Sequence, residues 1–315
     1  MSENINNRFT AKQIEQLKKD FVPKPLVLKR VKNGKVYKKE LPLKFSPASW
    51  KQDQFRKSTV DILIYGGSLG GGKTHNGLAK LLLGVSDPNF RAMIIRKQMN
   101  VMTRSGGIVD EAKKLYREFN EKVKFNNTKN FFRWPSGAET AFTQVATDED
   151  AEGLRGAQWS MVLCDEATEL DESHVFQIQS RIRSDAVDTK TPRQLILTCN
   201  PNPDSYLRQW VDWWLIPEGK ENAGRPDPEK ECAIRYFVRI DGVMHWADDP
   251  QELIKRYPSD DPDNPTRPVS VQFVAASIFD NPPLLKNNPN YLSNLRSLPK
   301  VKQERDLYGR QTIAA

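Results

Sequence analysis

The chain has 315 residues, 38% of them hydrophobic, and a formal net charge of +8. That length fits about two domains, or one large α/β domain with an appendage, and the apolar fraction suffices for a sizeable core. No apolar run approaches the ~20 residues of a membrane span. The opening Met1-Ser2-Glu3-Asn4-Ile5-Asn6-Asn7 has no apolar signal core, so neither a membrane partner nor secretion is expected.

The charge is uneven. Residues 1–50 hold twelve Lys/Arg against four Asp/Glu, while the rest of the chain holds 36 against 36. A basic N-terminal segment, residues 1–45, suits a polyanion, nucleic acid first, although a solvated arm with no partner has the same composition. Within it, residues 10–20 predict a short helix and Leu26–Leu43 a hairpin turning at Asn33-Gly34. Gln52 follows, about 15 residues ahead of a glycine-rich loop. Its amide carries the donor and acceptor that an adenine edge requires, and its place favours it over Gln54.

From about residue 60 to 200, strands alternate with helical stretches, which predicts a mostly parallel sheet covered on both faces. The first strand, Ile62-Leu63-Ile64-Tyr65, runs into G-x-x-x-x-G-K-T beginning at Gly67, and a helix-compatible segment follows. This is the context of a P-loop. Gly67, Ser68, Gly70, Gly71, Gly72, Lys73 and Thr74 are the expected nucleotide contacts: backbone N–H groups cradle phosphate, Lys73 reaches the β- and γ-phosphates, and the Thr74 hydroxyl binds Mg²⁺. The expected ligand is ATP.

Further along, Arg91–Arg96 predicts the second strand, Ile108–Phe119 a helix, and Phe131–Trp134 with Glu139–Thr143 a hairpin inserted in the pattern. Trp159–Cys164 is a buried-strand pattern that ends in Asp165-Glu166. Asp165 suits the second metal contact, and Glu166, on the other side of the pleat, suits the base that deprotonates the attacking water. Gln194–Cys199 is a third apolar strand, and Thr198 and Asn200 at its end fit a sensor of the γ-phosphate; a strand cap and an Asn-Pro turn would read the same way. Cys164, Cys199 and Cys232 form no zinc spacing with His75, His174 and His245, and point to a reducing compartment. After Trp214, Ile216–Lys230 and Ala247–Pro268 read as loops around strands at Ala233–Ile240 and Val269–Ala275, before a helix near Tyr291–Leu298. The expected division is a core over 46–215 and a smaller lid or linker subdomain over 216–315.

Taken in order, these residues resemble the ATPase portion of tailed-phage terminase large subunits. The likeness includes Gln52-x-x-Phe55, Tyr65-Gly66-Gly67-x-x-Gly70-Gly71-Gly72-Lys73-Thr74, and Gly153-Leu154-Arg155-Gly156 leading to Asp165-Glu166. It continues through Arg181-x-Arg183, Thr198-x-Asn200-Pro201, Phe279-Asp280-Asn281-Pro282 and Tyr291-x-x-x-Leu295-x-x-Leu298-Pro299. The resemblance implies an additional-strand, RecA-like P-loop fold and an ATP-hydrolysing motor that moves double-stranded DNA into a procapsid in the host cytoplasm. It also implies a homo-oligomeric ring, a portal protein and a terminase small subunit as partners, and an arginine acting across a subunit boundary. Arg155 is the candidate for that arginine, Arg183 the reserve, and Arg181 a weaker third. A P-loop helicase and a nucleotide-gated scaffold are the alternative readings. Two departures stand out. Leu69 occupies a loop position where the family often has arginine, and the six residues after Gly309 leave no room for the family's nuclease domain, so nuclease activity is not expected.

Overall fold

The computed structural model describes residues 10–32, 35–183 and 192–311. Twelve strands occur among them: β1 (Val27–Lys32), β2 (Lys35–Glu40), β3 (Ile62–Gly67), β4 (Arg91–Arg96), β5 (Lys124–Asn126), β6 (Phe131–Arg133), β7 (Glu139–Gln144), β8 (Met161–Cys164), β9 (Gln194–Thr198), β10 (Ile234–Ile240), β11 (Val243–Ala247) and β12 (Val269–Ala276). The first two pair only with each other, antiparallel. The other ten form one sheet in the order β11-β10-β12-β3-β9-β8-β4-β7-β6-β5. Its six central strands, from β12 to β7, run parallel, and an antiparallel pair extends each end.

The central strands read as continuous apolar runs because both faces are covered. Strand alternation sends Leu63 and Tyr65 to one face, where they meet Phe55, Leu78, Ile94 and Tyr116, and Ile62 and Ile64 to the other, with Val162, Leu197, Trp210 and Trp214. The helix Ile108–Phe119 lies where the periodicity predicts it and buries Ile108, Val109, Ala112, Leu115 and Tyr116. At the N-terminus, Thr10 and Gln13 form a capping box that starts the helix Ala11–Asp20. The expected hairpin is present as β1 and β2, with its turn at 33–34 outside the described residues.

Three expectations are corrected. Glu139–Gln144 is more than a hairpin arm, since β7 pairs in parallel with β4 as well as antiparallel with β6. Part of the expected Ala247–Pro268 loop is the helix Pro250–Arg256, started by an Asp249 cap with proline at its first position. Val243–Ala247 adds an unexpected strand. The segment after 215 also contributes to the main sheet. Its strand β12 lies directly beside β3, and β10 and β11 continue the same sheet. A parallel partner over 200 positions away leaves no local mark in the chain, so the sequence does not show that β12 lies beside β3. What does stand apart is a set of three short helices, Pro282–Asn287, Asn290–Arg296 and Lys300–Asp306, gathered on an apolar cluster of their own around Ile278, Leu295 and Leu307.

Candidate nucleotide site

The phosphate loop begins where β3 ends. Gly67 is obligatory there: its φ is 111°, and a Cβ would lie 2.2 Å from the Ala276 carbonyl oxygen on the neighbouring strand. Gly72, left-handed at φ 73°, turns the chain into the helix Lys73–Leu81. Among the described residues, no hydrogen bond claims the N–H groups of Gly70, Gly71 or Gly72. With the first N–H groups of the following helix, these open amides make a cradle for an anion. Ser68 is different. Its N–H donates to the Ala276 carbonyl (3.0 Å) and the residue is buried, so it braces the base of the loop.

Lys73 folds back over the loop, and its Nζ donates to the carbonyls of Ser68 (2.6 Å) and Gly67 (3.3 Å). Burial pulls its ammonium down to about 8, against the opposing pull of Cys199, Asp165 and Glu166. Thr74 Oγ1 donates to Asp165 Oδ1 at 3.2 Å, closing a gap of 91 residues. Thr198 Oγ1 donates to the same carboxylate oxygen at 2.5 Å. The order β3-β9-β8 sets this up: the strand carrying Thr198 lies between the P-loop strand and the strand leading to Asp165.

Glu166 departs from the pleat that its sequence predicts. Its φ of 59° and ψ of 45° are left-handed, and its N–H donates to Thr198 Oγ1 (3.1 Å). A non-glycine residue held there stores strain, which clusters at functional sites. Burial raises its carboxyl above the ordinary glutamate range, and Arg96 pulls it back. Arg96 is the residue that sequence reasoning missed. From the end of β4 its Nε donates to Asp165 Oδ2 at 2.8 Å, Nη2 bonds the same oxygen, and Nη2 lies 3.3 Å from Glu166 Oε1. In the sequence it was one more charge at a strand end. Only the pairing of β4 with β8 sets it against Asp165.

The other candidates are spread more widely. Gln52 is buried and both ends of its amide are engaged: Nε2 donates to the Asp280 carbonyl (2.7 Å), and Oε1 accepts from the Ala48 N–H (2.8 Å). In this arrangement it is a strut between the helix Trp50–Lys57 and the chain after β12. The Oδ1 atom of Asn200 is buried with no hydrogen-bond partner, an acceptor available to a ligand or its water. Arg155 projects from the turn after the helix Asp148–Gly153, its side chain 65% exposed and paired with Glu152 at 3.0 Å. Arg183 is exposed too, at the edge of the described residues, and Arg181 is half-buried. An open cleft of about 780 Å³ borders Glu166; its walls carry Glu169, Asp171, Glu172 and Asp204 against the single base Lys97, so their charge is mainly acidic and favours a cation. No helix among the described residues is long and apolar enough to cross a membrane.

Solved structures share this fold. The large terminase of a thermophilic bacteriophage, in complex with ADP, is similar with a TM-score of 0.52 and 16% identity, over 84% of this chain and 54% of that one. The same terminase in complex with ATP-γ-S gives a TM-score of 0.51 and 16% identity, over 84% and 53%. The chain thus spans about half the length of these solved terminases. No curated protein matches it significantly. Residues 64–315 match the family described as "Terminase large subunit, T4likevirus-type, N-terminal". The loop, the carboxylates and the strand order occur in a chain matched over most of its length, and it belongs to that family of phage terminase large subunits.

Proposed function

We propose that this chain is the motor portion of a terminase, a Mg²⁺-dependent ATPase that drives double-stranded DNA into a procapsid. One observation carries the reading: Lys73, Thr74, Asp165, Glu166 and Thr198 converge beside a loop whose amides are open, in a member of a terminase family. The ADP and ATP-γ-S complexes of the thermophilic phage terminase support a nucleotide as the ligand.

The residues fit a magnesium nucleotide. Thr74 Oγ1 and Asp165 Oδ1 are hard oxygen donors 3.2 Å apart, the sparse protein set of an ion that keeps several waters. When bound, Mg²⁺ neutralises charge between the β- and γ-phosphates. The amides of Gly70 to Thr74 hold the phosphates, and Lys73 exchanges its carbonyl partners for phosphate oxygens. Glu166 takes the proton of the attacking water, and its raised basicity suits that role. Thr198 fixes both the Asp165 carboxylate and the Glu166 backbone, while Asn200, with a buried Oδ1 that can accept from a water, is the proposed sensor of the γ-phosphate. Arg155, exposed and away from these groups, acts on a neighbouring subunit of a ring, with Arg183 as the second candidate; the acidic cleft beside Glu166 is a favourable approach for such a cation. Duplex DNA is gripped through its phosphates, and portal and small-subunit proteins complete the assembly in the host cytoplasm.

The test is phosphate release with and without duplex DNA. Release stimulated by DNA and abolished by Lys73→Ala is expected. Release that survives Lys73→Ala would overturn the assignment, and DNA strand displacement would favour a helicase.

A further inference from the structure

The apex of the phosphate loop is packed against the C-terminal helices. Leu69 joins the apolar cluster of Ile278, Leu295 and Leu307, and among the described residues it is the only member from outside the segment 278–307. Its N–H donates to the Asp306 carbonyl at the end of the last helix (2.8 Å). One residue on, the Gly70 carbonyl accepts from Nδ2 of Asn281, at 2.8 Å, just before the helix Pro282–Asn287. A Cβ on Gly70 would lie 3.0 Å from the Tyr291 ring and 3.2 Å from Leu284, so the helices rest on the loop backbone itself.

A leucine side chain has nothing to offer a phosphate. It does have a partner surface here, and the geometry gives that packing a consequence. The Gly70 carbonyl and the Gly71 N–H belong to one rigid peptide plane. Turning that N–H toward a phosphate must tilt the carbonyl held by Asn281, while Leu69 keeps the loop attached to the cluster. We propose that Leu69 is a positioning residue through which occupancy of the phosphate loop is transmitted to the helices between Pro282 and Asp306. The proposal rests on the nucleotide-binding reading above.

Hydrogen–deuterium exchange on the full chain, with and without Mg²⁺ and ATP-γ-S, tests this. In the unaltered protein, exchange in 282–306 should change about tenfold when nucleotide binds, within the usual span of coupling between sites. In Leu69→Ala, nucleotide should still bind but the change in 282–306 should disappear, and Leu69→Met should restore it. If Leu69→Ala does not fold, Asn281→Ala, which cuts the Gly70 link, should reduce the response. A full response in folded, nucleotide-bound Leu69→Ala, or in Asn281→Ala where that variant stands in, would overturn the proposal. So would the absence of any response in the unaltered, nucleotide-bound chain. No nucleotide binding at all would sink the nucleotide reading and this inference with it.

Discussion

Glu166 shows how closely its role depends on backbone shape. Held at φ 59° and anchored through its N–H to Thr198, it presents a carboxylate that burial makes more basic than an ordinary glutamate. The acid limb of ATP hydrolysis should therefore lie above the ordinary glutamate range, and Glu166→Gln should cut turnover by about 10²–10⁴ while nucleotide still binds. Stability should move differently. A carboxyl with a raised folded pKa holds its proton to higher pH than in the unfolded chain, so stability falls as pH rises through that window. Above it, Glu166→Gln should melt no lower than the unaltered protein, which a thermal scan at neutral pH would check. Arg96 is the opposite case. Its guanidinium pairs with a carboxylate only 1% exposed, and Arg96→Ala would leave that charge buried with hydroxyl donors alone. A loss of about 3–5 kcal/mol in urea unfolding is expected. Of this site, Lys73, Thr74, Asp165 and Glu166 were legible in the sequence because each sits in a local pattern of strand and turn. Arg96 was not, because its partner is on another strand, and the bond from the Gln52 amide to the distant Asp280 carbonyl was equally hidden.

At the scale of elements, the helix Lys73–Leu81 joins more than the loop. Lys80 on it is fully buried, and its Nζ donates to the carbonyls of Phe55, Arg56 and Ser58, at 2.9, 3.0 and 2.9 Å. At the end of the helix Trp50–Lys57, the carbonyls of Phe55 and Arg56 depend on this amine, while that of Ser58 also accepts from Gln194 Nε2 at 3.4 Å. Three acceptors use all three protons of an ammonium, although burial pulls the group down to about 7. Lys80→Met, similar in length but without donors, should cost about 1–3 kcal/mol by leaving these acceptors unmet. Chemical denaturation would measure it, and a change within error would show that water replaces the amine. Helices such as Ile108–Phe119 were legible from their 3.6-residue periodicity. Pro250–Arg256 was hidden because its proline and acids resemble loop composition until the Asp249 cap is recognised.

Across the whole molecule, the uneven charge bears on DNA. Residues 1–50 hold twelve Lys/Arg against four Asp/Glu, and the paired strands β1 and β2 lie among them. The proposed duplex DNA partner would be attracted by this excess of positive charge. Replacing Lys35, Lys38 and Lys39 with Gln should weaken duplex binding at low salt and reduce the salt slope by about 1 for each phosphate no longer neutralised. An unchanged slope in a fluorescence titration would place the grip elsewhere. The sequence by itself determined the phosphate loop, the paired acids, the alternating α/β order and the charged N-terminus, since each is written in neighbouring residues through strand runs, helical periodicity and turn glycines. Tertiary structure alone decided that β12 lies beside β3, that Arg96 faces Asp165 and that Leu69 belongs to the C-terminal cluster. These pairings are made across tens to hundreds of positions by sheet hydrogen bonds and apolar burial, which favour complementary surfaces wherever they stand in the chain.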